Sequence, residues 1–397
     1  MKKLFIAAFM FVSTFTSNVF ADGHAIKMGI ILGFTGPIES LTPAMAASAE
    51  LAFKEASDSG SLLGGKKIEV VRADSTCVDS AAATAAAEGV IAQGVAAIMG
   101  ADCSGVTGAI ASNVAVPNGV VMISPSATSP GLTALDDKGF FFRTAPSDAR
   151  GGQILADITK DRRIKSVAIT YTNNDYGKGL ADVYAAAVKA HGIKVTIVSA
   201  HEDGKADYSS EVATLASAGG DAVAVIGYLD QGGKGIIQGS LDSGAFDKFI
   251  LSDGMIGDSL TDAFGKDLNK SFGSMPGSMN EKTAGTFASV AKAAGIDSSG
   301  PYTGESYDAA ALIVLAMQAG GSADRASIAK NVMDVANAPG TKIYPGELKK
   351  GLDLLAQGKK VDYEGATGVI FTNVGEAEGS FLEKEIKGGK FKNKKQR

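Results

Sequence analysis

The 397-residue chain reads as an α/β protein of two lobes, each built on a parallel sheet, joined by several chain crossings. Three observations predict this. Apolar runs of strand length alternate with helical stretches in two separate series, the pattern of βαβ units. The length exceeds what one ordinary core organises. The helix-rich remainder has few strands of its own, so it must return to cover a sheet already made. Abundant glycine and the absence of tryptophan suit a compact protein with many tight turns.

The first residues stand apart. Lys2 and Lys3 precede the apolar stretch Leu4 to Val12, then a polar zone and the small-residue pattern Val19-Phe20-Ala21. This is the layout of a secretory signal peptide cleaved near Ala21. The apolar stretch is too short for a membrane anchor, and no cysteine at the new amino terminus offers a lipid site. Cleavage removes two lysines and no acid, taking the net charge from −5 to −7. An acidic body argues against a nucleic-acid partner.

The first series starts with a strand at Ile26–Leu32, an Ala-rich helix at Leu41–Ser57 and a strand at Lys67–Asp74. A helix at Ser80–Gln93 follows, with Ser80 as its candidate cap. Two apolar strands, Val95–Met99 and Val120–Ile123, flank another helix, and Phe140–Arg143 leads out. The second series runs helix Gly151–Lys160, strand Ser166–Thr172, helix Tyr176–Ala190 and strand Lys194–Ala200. It continues with helix Tyr208–Ala218, strand Asp221–Gly227, helix Gly232–Leu241 and strand Lys248–Asp253.

The remainder reads as helices Glu281–Ala294, Tyr302–Gln318, Ala326–Val335 and Gly346–Gln357, with a late strand, Phe381–Ile386, for the second sheet. The expected division is lobe 1 over 22–144 plus 276–375, and lobe 2 over 145–275 plus 376–391. The Lys-rich end from Lys384 to Arg397 is expected as a solvated tail, with 392–397 set apart as a basic tail outside both lobes.

Two strand ends carry the chemistry. One delivers Gly100-Ala101-Asp102-Cys103-Ser104-Gly105, the other Ser124-Pro125-Ser126-Ala127-Thr128-Ser129-Pro130. Parallel strands present their carboxyl ends to one rim, where ligands bind. Hydroxyls and backbone N–H groups there suit a carboxylate. Ser104 has an ordinary helix cap as its competing role, and Thr128 a local turn bond. From the second series, Asp253 ends a strand before Gly254, where an Asp-Gly turn is the plain alternative. Tyr176 and Tyr228 lie at or just past strand ends; such aromatics are often core, but rim loops carry function. Together these groups suit a zwitterion, with the carboxylate on Ser104 and Thr128, the ammonium on Asp253 and the Ser126 carbonyl, and the tyrosines around the side chain.

Cys77 and Cys103 are the only cysteines. An even count in an exported chain suggests a disulfide, with two buried free thiols as the alternative. Without a Cys-x-x-Cys motif, a metal or redox role is disfavoured. No phosphate loop, dinucleotide fingerprint or histidine pair at metal-binding spacing occurs, so neither cofactor nor metal is expected. His191 and His201 read as surface residues. Gly257-Asp258-Ser259-Leu260-Thr261-Asp262 matches the GDSL-esterase signature. All three histidines (His24, His191 and His201) precede Ser259, so the nucleophile lacks the downstream base that family uses, and hydrolysis is disfavoured. A helix cap explains the motif.

From about Ile26 to Phe391 the chain resembles the type I periplasmic binding proteins of ABC importers, in the branched-chain amino-acid group. The resemblance rests on Gly33-Phe34-Thr35-Gly36-Pro37, Cys77 with Cys103-Ser104, and Ile123-Ser124-Pro125-Ser126-Ala127-Thr128. Asn174-Asp175-Tyr176-Gly177-Lys178-Gly179, Gly227-Tyr228 and Tyr307-Asp308-Ala309-Ala310 add to it. It implies two Rossmann-like lobes that close on an amino acid, a Cys77–Cys103 disulfide beside the site, and a periplasmic monomer serving an inner-membrane ABC permease. It also implies carboxylate and ammonium contacts at Ser104, Ser126, Ala127 and Thr128, an ammonium partner at Asp253, and closure over ligand by Tyr176 and Tyr228. At Leu41, where leucine-binding relatives carry an aromatic, this chain departs; an aliphatic wall suits Leu, Ile or Val. The other functions in view are a same-fold receptor for a membrane sensor, a binder of an amide or short carboxylic acid, and the esterase.

Overall fold

The computed structural model describes residues 25–279 and 281–397; the signal-peptide reading and His24 lie outside them. The first sheet is built from β1 (Ile26–Leu32), β2 (Ile68–Asp74), β3 (Ala97–Gly100), β4 (Val121–Ser124) and β5 (Phe141–Arg143). Helices α1 (Thr42–Asp58), α2 (Ser80–Ala92) and α3 (Ser104–Ile110) connect them. The strand order is β2-β1-β3-β4-β5, all parallel. The order reverses between β1 and β3, which opens a crevice at their carboxyl ends.

The second sheet follows the same logic. Its helices are α4 (Asp148–Asp161), α5 (Asp175–Ala190), α6 (Ser209–Ala218), α7 (Gly232–Ser243) and α8 (Asp258–Phe264). Strands β6 (Ser166–Thr172), β7 (Lys194–His201), β8 (Ala222–Ile226), β9 (Phe249–Leu251) and β10 (Phe272–Gly277) are parallel. Here the order reverses between β6 and β8.

The chain then returns to the first lobe through α9 (Glu281–Ala293), α10 (Thr303–Ala319) and α11 (Arg325–Ala336). A two-stranded sheet of β11 (Thr341–Ile343) and β12 (Val361–Tyr363) encloses α12 (Leu348–Ala356). Helix α10 is buried from Thr303 to Gln318 except at Gly304 and packs in one core with α1, β1, β3 and β4. A helix buried on every side reads as apolar all round. Of its two buried acids, Glu305 and Asp308, the deeper Asp308 accepts from Tyr363 Oη and from the Ala366 and Thr367 N–H groups, and burial still raises its pKa to about 6.

Strands β13 (Ser380–Lys387) and β14 (Lys390–Gln396) complete the second sheet, β13 antiparallel to β10 and β14 antiparallel to β13. This corrects the expectation of a solvated tail from Lys384: both strands are paired and Lys384 is buried, while β14 stays an exposed edge. Gly388 and Gly389, at φ 65° and 76°, form the two-residue turn that right-twisted hairpins favour, and outward lysines suit an edge strand. Arg397 pairs with Asp161 and Glu383. Two smaller corrections follow. Asp79, not Ser80, caps α2, accepting from the Ala81 and Ala82 N–H groups. His201 is buried at the end of β7, where Thr170 Oγ1 lies 2.8 Å from Nδ1; burial lowers its pKa to about 4. His191 is partly buried and meets Asp157.

Two crossings between the lobes are tied together. Arg143 N–H donates to Gly375 O, and Ala377 N–H donates to Arg143 O. The Arg143 guanidinium, 1% exposed, pairs with Glu376 and donates to the Ala127 and Ser129 carbonyls. It thereby braces the loop after β4 from behind.

Candidate functional site

Both crevices open toward each other, and one cavity lies between them. The loop after β1 supplies Ile38 and Leu41, with Met45 from α1; the loop after β3 supplies Asp102, Cys103 and Ser104; the loop after β4 supplies Ser126. The opposite lobe supplies Tyr176 after β6, Tyr228 after β8, and Asp253 and Gly254 after β9. Tyr302, preceding α10, closes the ring.

Of the residues singled out in the sequence, the structure gathers Leu41, Ser104, Ser126, Tyr176, Tyr228 and Asp253 on this one cavity. Ala127 and Thr128 lie behind its wall. The Ala127 N–H donates to Ser124 Oγ. Thr128 is 1% exposed, and its hydroxyl faces the Asp148 carboxyl. Ser104 Oγ accepts from the Ser129 N–H at 3.1 Å, so its own proton points elsewhere. Ser126 Oγ donates to the Asp102 carbonyl at 3.0 Å.

Cys77 and Cys103 are joined in a disulfide, which anchors the residue before Ser104. Asp102 secures the same corner. Its carboxylate accepts from the Gly33 and Cys103 N–H groups and from Ser75 Oγ. Full burial raises its pKa, against the pull of those bonds.

The acid at the other rim is differently held. Tyr176 donates to Asp253 Oδ1 at 2.7 Å, and Tyr302 donates to Oδ2. The Gly254 N–H donates back to the Tyr176 hydroxyl at 3.2 Å. A Cβ on Gly254 would come within 2.5 Å of the Gly227 carbonyl, so this close approach requires glycine. Tyr176 stacks on Tyr228 with ring centroids 5.2 Å apart. Burial raises the pKa of Asp253, and the tyrosine hydroxyls oppose the shift. Asp148, at the start of α4, is pushed well above the usual carboxylate range by burial first and by Asp253's charge second. The Thr128 hydroxyl and the buried Arg143 charge pull the other way without cancelling the shift, as expected of two buried acids close together.

The lobes are closed on the cavity. Asp230 of the second lobe accepts from the Ser40 N–H at 3.0 Å and donates its own N–H to Pro37 O. Ser129 Oγ donates to Asp175 O. Ser259, the serine of the GDSL-like motif, donates to Asp230 Oδ1 at 2.6 Å and so steadies this clasp; among the described residues no histidine bonds to it. Among the described residues no group of His, Cys, Asp and Glu is arranged to hold a metal ion, and no helix is long and apolar enough to cross a membrane.

Sequence reasoning missed Tyr302, Asp148, Ile38 and Met45. Tyr302 follows no strand; it reaches the site because its backbone turns left-handed, at φ 61°, ahead of α10. Pro301-Tyr302-Thr303 at a helix start is its only sequence signal.

Comparison with known proteins agrees with this geometry. A sequence profile described as periplasmic binding protein matches residues 25–375. The Leu/Ile/Val-binding protein homolog 3 of Brucella melitensis is 32% identical over 234 residues, 59% of this chain and 62% of that protein's length. The Leu/Ile/Val-binding protein homolog 1 of the same organism is 30% identical over 326 residues, 80% of this chain and 84% of its own. In structure, the chain matches the branched-chain amino acid transporter substrate-binding protein LivJ of Streptococcus pneumoniae, solved with isoleucine. The TM-score is 0.76 at 22% identity, over 94% of this chain and 99% of that one.

Proposed function

The chain belongs to the periplasmic binding protein family, and we propose that it captures an L-amino acid with an aliphatic side chain between its lobes for uptake by an ABC permease. The observation that carries this is the polarity of the closed cavity. Asp253 with Tyr176 and Tyr228 stands on one lobe, and the hydroxyls of Ser104, Ser126 and Tyr302 stand on the other. A zwitterion laid across them places its ammonium on Asp253 and its carboxylate near Ser104, whose hydroxyl proton is uncommitted. Ile38, Leu41 and Met45 then wall an aliphatic side chain, in keeping with the names of the Brucella relatives.

Family members are binding proteins rather than enzymes, and the site offers holding without chemistry: acid, hydroxyls and phenols, but no nucleophile with a base. In this reading the lobes are those of the sequence division, the crossings near Arg143 and Glu376 serve as the hinge, and a signal peptide ending near Ala21 sends a monomer to the periplasm. Closure follows because the ligand contacts both lobes only when they meet, which gives the closed state its higher affinity. Isothermal calorimetry on ligand-stripped protein against the twenty amino acids tests the proposal. Saturable heat with leucine, isoleucine or valine is expected; no heat with any neutral amino acid would overturn it.

A further inference from the structure

The cavity is not the end of the cleft. Leu41 and Tyr302 also border a larger interlobe groove. Its ionisable lining is Asp297 and Glu305 from the first lobe and Asp258, Lys384 and Lys392 from the second. Lys384 is unusual among them. It is 7% exposed and sits in β13 between Gly273 of β10 and Asn393 of β14. The preceding residue, Glu383, points to the other face and is held by Arg162 and Arg397. Lys384 has no hydrogen bond or ion pair among the described residues, and Asp258 attracts it only at longer range. On the other side, Glu305 is 5% exposed, and burial raises its pKa to about 8. At neutral pH it therefore keeps its proton and is a hydrogen-bond donor. A buried lysine without a counter-ion is costly and rare.

We infer that the groove is the distal half of the ligand site, and that it takes the far end of an elongated α-amino acid terminating in a carboxylate, which pairs with Lys384. This rests on the amino-acid reading above. The ligand's α-amino and α-carboxyl groups occupy the near cavity, its chain passes between Leu41 and Tyr302, and its second carboxylate meets the Lys384 ammonium and the Glu305 hydroxyl. Aliphatic ligands fill the near half alone.

The test is calorimetry on the ligand-stripped full chain with L-leucine and a length series of L-glutamate, L-2-aminoadipate and L-2-aminopimelate. Each diacid is set against the methyl-ended amino acid of equal length. At least one diacid should bind about ten-fold tighter than its methyl-ended counterpart, a difference of about 1.4 kcal/mol. Lys384→Met should abolish that difference and leave leucine within about two-fold. If leucine binds and no diacid gains over its counterpart, the distal site is refuted while the amino-acid reading stands. If no α-amino acid binds, that reading fails first. A diacid preference that survives in Lys384→Met refutes the role of Lys384. The wild-type length series decides the distal site even if the variant does not fold.

Discussion

Replacing Asp253 with Asn removes the charge proposed to hold the ligand's ammonium while keeping an acceptor for Tyr176. The carboxylate is 7% exposed and held between two tyrosine hydroxyls, so the pair would form out of bulk water. At about 3 Å and an effective dielectric constant of about 20, the attraction is roughly 5 kcal/mol before desolvation. Removing one member of a buried, hydrogen-bonded charge pair costs about 2–5 kcal/mol, which is about 30-fold to several thousand-fold in Kd. The comparison ligand is 4-methylpentanoic acid, leucine without its amino group. Asp253→Asn should weaken leucine within that range and change the desamino acid by less than about three-fold, or improve it. Calorimetry on stripped protein measures both. Equal losses for the two ligands would refute the ammonium assignment. The pH dependence has a definite sign. Burial raises the pKa of Asp253, and the ammonium needs the ionised acid, so leucine affinity should fall as pH drops through that raised value. Asp253→Asn should flatten this dependence.

Three further outcomes follow from the fold. Changing both Cys77 and Cys103 to Ser opens a link of 26 residues and should cost about 3.5 kcal/mol of stability in the chain-entropy model; an unchanged urea midpoint would contradict it. Arg143→Met leaves Glu376 and two loop carbonyls without their donor. Breaking a buried pair costs about 3–5 kcal/mol, with the lower end expected because Glu376 reaches some water; urea unfolding should show most of the loss recovered in Arg143→Met/Glu376→Gln. His201 is held neutral, with its pKa lowered to about 4 from 6.5. The unfolded chain therefore binds the extra proton first, and stability should be full above pH 6.5 and decline toward pH 4, by about 3 kcal/mol at most. His201→Gln should flatten that slope in urea titrations, and an undiminished slope would refute the assignment.

Much of the site was legible because parallel sheets deliver their strand ends to one rim. Ser104, Ser126, Tyr176, Tyr228 and Asp253 each follow a strand whose apolar run is plain in the sequence. Tyr302 was not legible, since it arrives from the returning helices of the first lobe and faces Asp253 across the cleft. Asp148 resembled any acid at a helix start until burial beside Asp253 made it a coupled partner. The carboxyl-terminal hairpin was hidden by composition: alternating lysines read as solvated charge, although Gly388-Gly389 marks the turn.

Local pattern by itself determined the order of strands and helices, the two lobes and which loops would carry polar groups, because periodicity and turn chemistry act over a few residues. Tertiary structure decided which of those groups meet. Whether a serine lines a cavity or lies behind it, whether an acid keeps its proton, and whether a lysine finds a partner all depend on surroundings contributed by segments far apart in the chain. Lys384 shows the difference: one of many lysines in the sequence, it is buried because β13 lies between β10 and β14, strands far apart in the chain from one another.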